Sequence, residues 1–234
     1  FGPSMPPKGS VAFVSQSGAL ADSIIDWSIQ ARYGLSALVS YGNKAMLDCY
    51  DFFDFLANDE ETKSVALYTE GVNSGREFFE KLKFLAAGKP VVVLKGGRTA
   101  AGTAAAATHT ASLAGDARVF GAAVKQAGAV LAETVEELFD LAKVLGEQPV
   151  CKGNGIAVVT NGGGCGVICS DYCEELGVNL PQLQKSVLKQ LDSSGIMHPA
   201  YSRRNPLDIV GDAMPDRYEL AISTLLNEPY IRGL

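Results

Sequence analysis

The 234-residue sequence has no hydrophobic run long enough to cross a bilayer: the apolar segment 90–94 falls far short of the roughly 20 residues a spanning helix needs. It has no cationic surplus either. Twenty Lys and Arg against 26 Asp and Glu leave a net charge of -6, which argues against a nucleic-acid surface, because phosphate binding needs clustered cations. Neither a GxxxxGK[ST] P-loop nor a GxGxxG dinucleotide fingerprint occurs. Residues 1–10 hold one cation, several prolines and no apolar stretch, so no secretory leader is expected. The charged cluster at 58–63 reads as a solvated turn. Cysteine is present in an odd number, five, at spacings that fit no zinc or disulfide framework. Cys165, Cys169 and Cys173 share a helix face but spread over roughly 12 Å, too far for one tetrahedral ion. They are expected to be buried small side chains, no metal is expected, and reduced thiols point to a cytoplasmic setting.

With 47% apolar and 20% charged residues, the chain has the composition of a globular protein and leaves no case for disorder. Short β-branched runs alternate with helical stretches, the pattern of parallel sheets covered by helices on both faces. Strands are expected at 11–15, 35–40, 65–69, 90–95 and 130–132, and helices at 18–32, 48–57, 74–87, 116–127 and 135–145. Leu20, Ile24, Trp27 and Ala31 form the apolar stripe of the first helix. Five such steps suit a flavodoxin-like domain better than an eight-stranded barrel. Pro149, Gly153 and Gly155 interrupt the pattern, and the same grammar then restarts: strand 156–160, helix 164–176, strand 206–209, helix 216–226. The expected fold is α/β, with two flavodoxin-like, doubly wound parallel-sheet domains at 1–148 and 149–234. The second reads as cut short at its C-terminal end, and the chain as a fragment.

The two halves open alike, with Val-Ser-Gln-Ser-Gly-Ala-Leu at 14–20 and Val-Thr-Asn-Gly-Gly-Gly-Cys at 159–165. Each is a strand, then small and polar residues, then a helix. Such a turn exposes the unpaired N–H groups of a helix N-terminus, a natural anion site. Taken singly the signal is weak, because many α/β proteins use small residues there for packing; two in one chain strengthen it.

Only two histidines occur. His198 reads as a loop residue. His109 lies in a long stretch of small residues, 96–115, that follows a strand. Small residues let backbone approach backbone or ligand closely. One reading is a capping or surface histidine; the other is a nucleophilic imidazole on a mobile loop, since the ring nitrogen is an uncharged nucleophile near neutral pH.

The block Thr108-His109-Thr110-Ala111-Ser112-Leu113-Ala114-Gly115-Asp116 resembles the phosphohistidine motif of NDP-forming acyl-CoA synthetases, relatives of succinyl-CoA synthetase. Ser15-Gln16-Ser17-Gly18-Ala19-Leu20, Gly42-Asn43-Lys44-Ala45, Glu70-Gly71, Thr160-Asn161-Gly162-Gly163-Gly164, Asn205-Pro206-Leu207-Asp208 and Gly211-Asp212-Ala213 match in order, covering essentially the whole chain. The resemblance implies that His109 is phosphorylated and that Glu70 is the carboxylate that binds its ring. It also implies that Ser17, Gly18 and Ala19 at one helix N-terminus, and Gly162, Gly163 and Gly164 at another, cradle phosphate. Asn43 and Lys44 align with a loop near the acyl site, although Lys44 also reads as a solvated surface residue. Alanine stands at 111 where glycine is expected most often.

The implied chemistry runs from acyl-CoA and phosphate through an acyl phosphate and phosphohistidine to ATP. The complete enzyme would use CoA and ATP or ADP with Mg2+, as an oligomer without membrane or nucleic acid. Its CoA-binding domain would precede Phe1, and an ATP-grasp domain or subunit would supply the nucleotide site; neither signature occurs in this sequence. The rival from another class is a non-catalytic module of this fold, fused to some protein lysine acetyltransferases, which commonly lacks the phosphohistidine. A true succinyl-CoA synthetase α subunit is disfavoured by the restart at 156.

Overall fold

The fully apolar segment Val11–Val14 requires cover on both faces, and strand β1 (Lys8–Ser15) accordingly lies inside a sheet. The computed structural model describes residues 5–42, 44, 46–110, 115–149 and 151–234, with the side chains of 107–110 outside that description. The chain divides into two units, Phe1–Pro149 and Val150–Leu234.

In the first unit, β1 pairs in parallel with β2 (Leu35–Ser40) on one side and β3 (Ser64–Thr69) on the other. Beyond β3 follow β4 (Val91–Lys95) and β5 (Val130–Ala132), all parallel, in the order 2-1-3-4-5. That is the flavodoxin-like doubly wound order. The intervening helices are α1 (Gly18–Gln30), α2 (Phe53–Asn58) after a 3-10 turn (Cys49–Phe52), α3 (Gly75–Gly88), α4 (Ala100–Thr110), α5 (Ala117–Gln126) and α6 (Val135–Glu147). Alternate residues of one strand feed opposite faces: Ala12 and Val14 pack with Phe53, Leu82 and Val124, while Val11 and Phe13 pack with Ile24 and Phe139. Two apolar layers, one on each side of the sheet, fix the strand ends to which the site is attached.

The stretch expected as a mobile loop around His109 is helical: α4 carries its backbone through Thr110. Thr99 caps this helix, its hydroxyl accepting from Gly102 N–H at 3.1 Å and its carbonyl from Thr103 N–H at 2.8 Å. Alanine is the strongest helix former, so a run of small residues here favours a helix despite its lack of an apolar stripe. Residues 111–114, including Ala111, lie outside the described residues.

The second unit pairs β6 (Val159–Thr160) with β7 (Leu207–Asp208) in parallel and packs α7 (Gly163–Glu175), α8 (Lys185–Ser193) and α9 (Pro215–Leu226) around them. Its core joins Val187, Leu191, Leu207, Ile209, Ala221 and Leu225. The first half of the strand expected at 156–160 makes only an isolated bridge, from Ile156 to Gly233. The cysteine stripe of α7 is not uniformly buried as expected: Cys173 is buried but Cys165 is exposed. A four-residue step on a helix drifts about 40°, enough to carry the stripe off the core side over two steps. Among the described residues no helix is long and apolar enough to cross a membrane.

Candidate functional site

In a sheet of order 2-1-3-4-5, helices leave β1 and β3 in opposite directions, which opens a crevice at the carboxyl ends of those two strands. Ser17 follows β1 and Glu70 follows β3, so topology alone places both at this switch point. Both line a cavity of about 520 Å³, shared with Tyr68, Gly97, Gly102, Ala105 and Ala106.

The turn into α1 is tied down by side chains. Ser15 Oγ donates to Ser17 carbonyl at 2.7 Å and accepts from Ser17 N–H at 3.1 Å. The Ser17 hydroxyl accepts from Leu20 N–H at 3.2 Å, capping the helix. Gly18 and Ala19, exposed at the first turn, keep amides with no intrahelical acceptor. A carboxylate or phosphate there would also meet the positive end of the helix dipole, an effect of about 0.3–1 kcal/mol.

Glu70 is only 8% exposed, and three neighbours from three strands fix it. Gln16, itself buried at the end of β1, accepts from Glu70 N–H at 2.7 Å and from Thr69 Oγ1 at 3.1 Å through one side-chain oxygen. Lys95, buried at the end of β4, donates to the Glu70 carbonyl at 2.6 Å and the Gly96 carbonyl at 2.5 Å. Tyr68 donates to Glu70 Oε1 at 3.3 Å. Burial lowers the Lys95 pKa, with the Glu70 carboxylate acting in the opposite sense. The Lys95 ammonium also lies 5.7 Å from the centre of the Phe120 ring.

Lys44 is not a solvated surface residue. Its ammonium pairs with Asp48 at 3.4 Å and donates to the Gly71 carbonyl, with both charged side chains almost fully buried. Asp48 in turn accepts from the N–H groups of Cys49 and Asn73 at 2.7 and 2.8 Å. Lys44 and Lys95 thus anchor successive carbonyls, those of Gly71 and Glu70, immediately beyond β3. Asn43 lies outside the described residues, as does the side chain of His109, whose backbone belongs to α4.

In the second unit, Gly162 is the N-cap of α7, and Gly163 and Gly164 form its first turn. Thr160 Oγ1 bridges Gly162 as Ser15 bridges Ser17, donating to the carbonyl at 3.1 Å and accepting from the N–H at 3.0 Å. Asp208, at the end of β7, crowds this terminus: a methyl group on Gly163 would come within 2.9 Å of its Oδ2. Asn205 is structural, bonding to Val158 N–H at 3.0 Å and the Ile156 carbonyl at 2.8 Å. His198 accepts from Ala200 N–H at 3.0 Å in its own loop. Among the described residues no group of three His, Cys, Asp or Glu side chains could hold a metal ion.

Tyr68 and Lys95 carry no motif and were missed from sequence. The available signal was a lysine closing an otherwise apolar strand, and a tyrosine two residues before the acid, a spacing that puts two side chains on one side of extended backbone.

Residues 8–145 match the family model described as succinyl-CoA ligase like flavodoxin domain. The alpha subunit of ADP-forming acetate–CoA ligase I from Pyrococcus furiosus is 41% identical over 100% of this chain and 50% of its own length. The ADP-forming acetate–CoA ligase of Methanocaldococcus jannaschii is 42% identical over 90% of this chain and 30% of its own. Among solved structures, the dinucleotide forming acetyl-coenzyme A synthetase 1 of Ca. Korarchaeum cryptofilum, in complex with phosphate and ADP, superposes with a TM-score of 0.92 at 37% identity, over 99% of this chain and 50% of that one. The chain therefore spans half or less of the length of these relatives. It belongs to the succinyl-CoA ligase like flavodoxin domain family.

Proposed function

We propose that this chain is the phosphoryl-carrying part of an ADP-forming acyl-CoA synthetase, with His109 as the group that is phosphorylated and Glu70 as its carboxylate partner. The observation that carries this reading is the cavity at the switch point. Ala105 and Ala106 line it together with Glu70 and Ser17. Position 109 lies four and three residues further along the same helix, hence on the same face one turn on.

The chemistry assigns each part a task. A phosphate oxygen attacks the thioester carbonyl and CoA leaves as the thiolate, giving an acyl phosphate. A ring nitrogen of His109 then bonds to phosphorus as the P–O bond to the carboxylate product breaks. A β-phosphate oxygen of ADP finally takes the phosphoryl group, giving ATP. The Glu70 carboxylate holds the ring N–H on one side, leaves the other nitrogen nucleophilic, and stabilises the positive charge that develops on the ring. The amides of Gly18 and Ala19 receive the phosphate oxygens, and those of Gly163 and Gly164 form a weaker station of the same kind.

Lys44 and Lys95 add positive charge behind the strand ends without touching the reacting atoms. The CoA and nucleotide sites belong to the part of the relatives' length that this chain does not span, on a CoA-binding domain and an ATP-grasp domain or partner. Mg2+ would accompany the nucleotide there, and no cluster in this chain is needed for it. The five free cysteines fit a reducing cytoplasm.

The test uses the complete enzyme and radiolabelled ATP. Wild type acquires an acid-labile, base-stable label. His109→Ala abolishes it, and Glu70→Gln slows its formation by about 100-fold or more. A label that survives His109→Ala rules the reading out.

A further inference from the structure

We propose that Tyr68 is a positioning residue: its phenol fixes the Glu70 carboxylate toward the cavity, in a slot that exists because residue 96 is glycine. The inference rests on the reading of Glu70 as the partner of the phosphorylated histidine. No motif match covers Tyr68 or Gly96, and neither follows from the phosphoryl chemistry itself.

Three features of the strand ends carry it. First, the backbone of Glu70 is already immobilised by Gln16 on its N–H and Lys95 on its carbonyl, at 2.7 and 2.6 Å. The freedom left to the carboxylate is therefore rotation of its own side chain, which in glutamate is large. Second, one group that limits this rotation comes from β3 itself. Tyr68 is the penultimate residue of β3 and Glu70 follows its last, and the phenol donates to Oε1 at 3.3 Å. Third, Gly96 leaves room for both. A methyl group there would lie 2.7 Å from the Tyr68 hydroxyl and 3.2 Å from Glu70 Cγ. A side chain at position 96, just past β4, would push the phenol off the carboxylate.

The phenol is also a dependable donor. Burial, followed by the charge of Glu70, pushes its pKa up to about 12, so it keeps its proton throughout the range in which an enzyme works. Both residues line the cavity, so the hydrogen bond sets which way the carboxylate points within it.

The experiment is a double-mutant cycle in the complete enzyme, with phosphoenzyme formation from radiolabelled ATP followed in single turnover. Tyr68→Phe keeps the ring and removes only the hydroxyl. It should slow formation by about 10- to 100-fold, the penalty of a misplaced catalytic group, with the KM for acyl-CoA within about twofold of wild type. In a Glu70→Ala background there is no carboxylate left to orient, so adding Tyr68→Phe should change the rate by less than about twofold. Gly96→Ala approaches the same contact from the other side and should reproduce the Tyr68→Phe defect. A wild-type rate in Tyr68→Phe overturns the proposal. So does an equal fold-loss from Tyr68→Phe in both backgrounds, because a purely structural tyrosine gives additive effects. The underlying reading fails separately: a wild-type enzyme without a His109-dependent label removes the phosphohistidine, and this inference with it.

Discussion

At the start of α1, Ser15 bridges the N-cap residue through its hydroxyl; at the start of α7, Thr160 bridges the equivalent residue in the same two bonds. The backbone device is shared, but the surroundings differ. Beside α1, β3 and β4 deliver a buried acid, a tyrosine donor and a lysine, and Ser17 caps the helix while leaving two exposed amides. Beside α7, Gly162 provides no side-chain cap and β7 delivers Asp208 against Gly163. A carboxylate at a helix N-terminus takes up part of the field that would draw an anion. A strand–turn–helix motif therefore offers an anion site, and the neighbouring strands decide what chemistry it can support.

The sharpest way to break this comparison is to remove one amide from α1 without disturbing the helix. Proline is favoured at the first helical position, and Ser17 already has the extended backbone that precedes proline. Gly18→Pro should raise the KM for phosphate by about 10- to 100-fold, the loss of one hydrogen bond to a charged group, with an unfolding midpoint close to wild type. An unchanged KM would show that α1 does not hold the phosphate.

A smaller effect separates the two termini by stability. A side chain at Gly18 meets nothing closer than Ser40 Oγ at 3.7 Å, whereas one at Gly163 meets Asp208 at 2.9 Å. Denaturant titration should show Gly18→Ala within about 0.5 kcal/mol of wild type and Gly163→Ala less stable than Gly18→Ala by about 0.5–1.5 kcal/mol, the cost of moving the Asp208 side chain off its rotamer. The smallest effect comes from giving α7 the cap it lacks. Gly162→Ser has room for its Cβ, with the nearest atom at 3.7 Å, and should stabilise the second unit by a few tenths of a kcal/mol. A destabilisation there would mean that the two turns are less alike than their hydrogen bonds indicate.

Much of the first unit was legible because its inner strands β1, β3 and β4 are buried on both faces and read as apolar runs; the partly exposed edge strands β2 and β5 also have the bounds expected from the sequence. Helix α4 was not legible, because its alanines present no apolar stripe and small residues look alike in a loop and in a helix that packs closely. Helix α8 was missed for a related reason. Val187 and Leu191 are its only fully buried residues, too few to set a period in a polar segment. At the site, Ser17 and Glu70 could be named from ordered motifs. Lys95 could not, since its role depends on β3 lying alongside β4, a long-range fact that local spacing does not carry. Tyr68 and Lys44 have local partners, Glu70 and Asp48, but nothing in the local spacing sets that tyrosine apart from others or marks that lysine as buried.

The most direct measurement is to quench the complete enzyme during turnover with acyl-CoA, phosphate and ADP, and to map the phosphoryl group by mass spectrometry under conditions that preserve N–P bonds. The expected result is a single modified residue, His109, with its occupancy reduced in Tyr68→Phe and Gly18→Pro. Phosphate found on any other side chain, or an enzyme that turns over while unmodified, would contradict the assignment of the switch-point cavity.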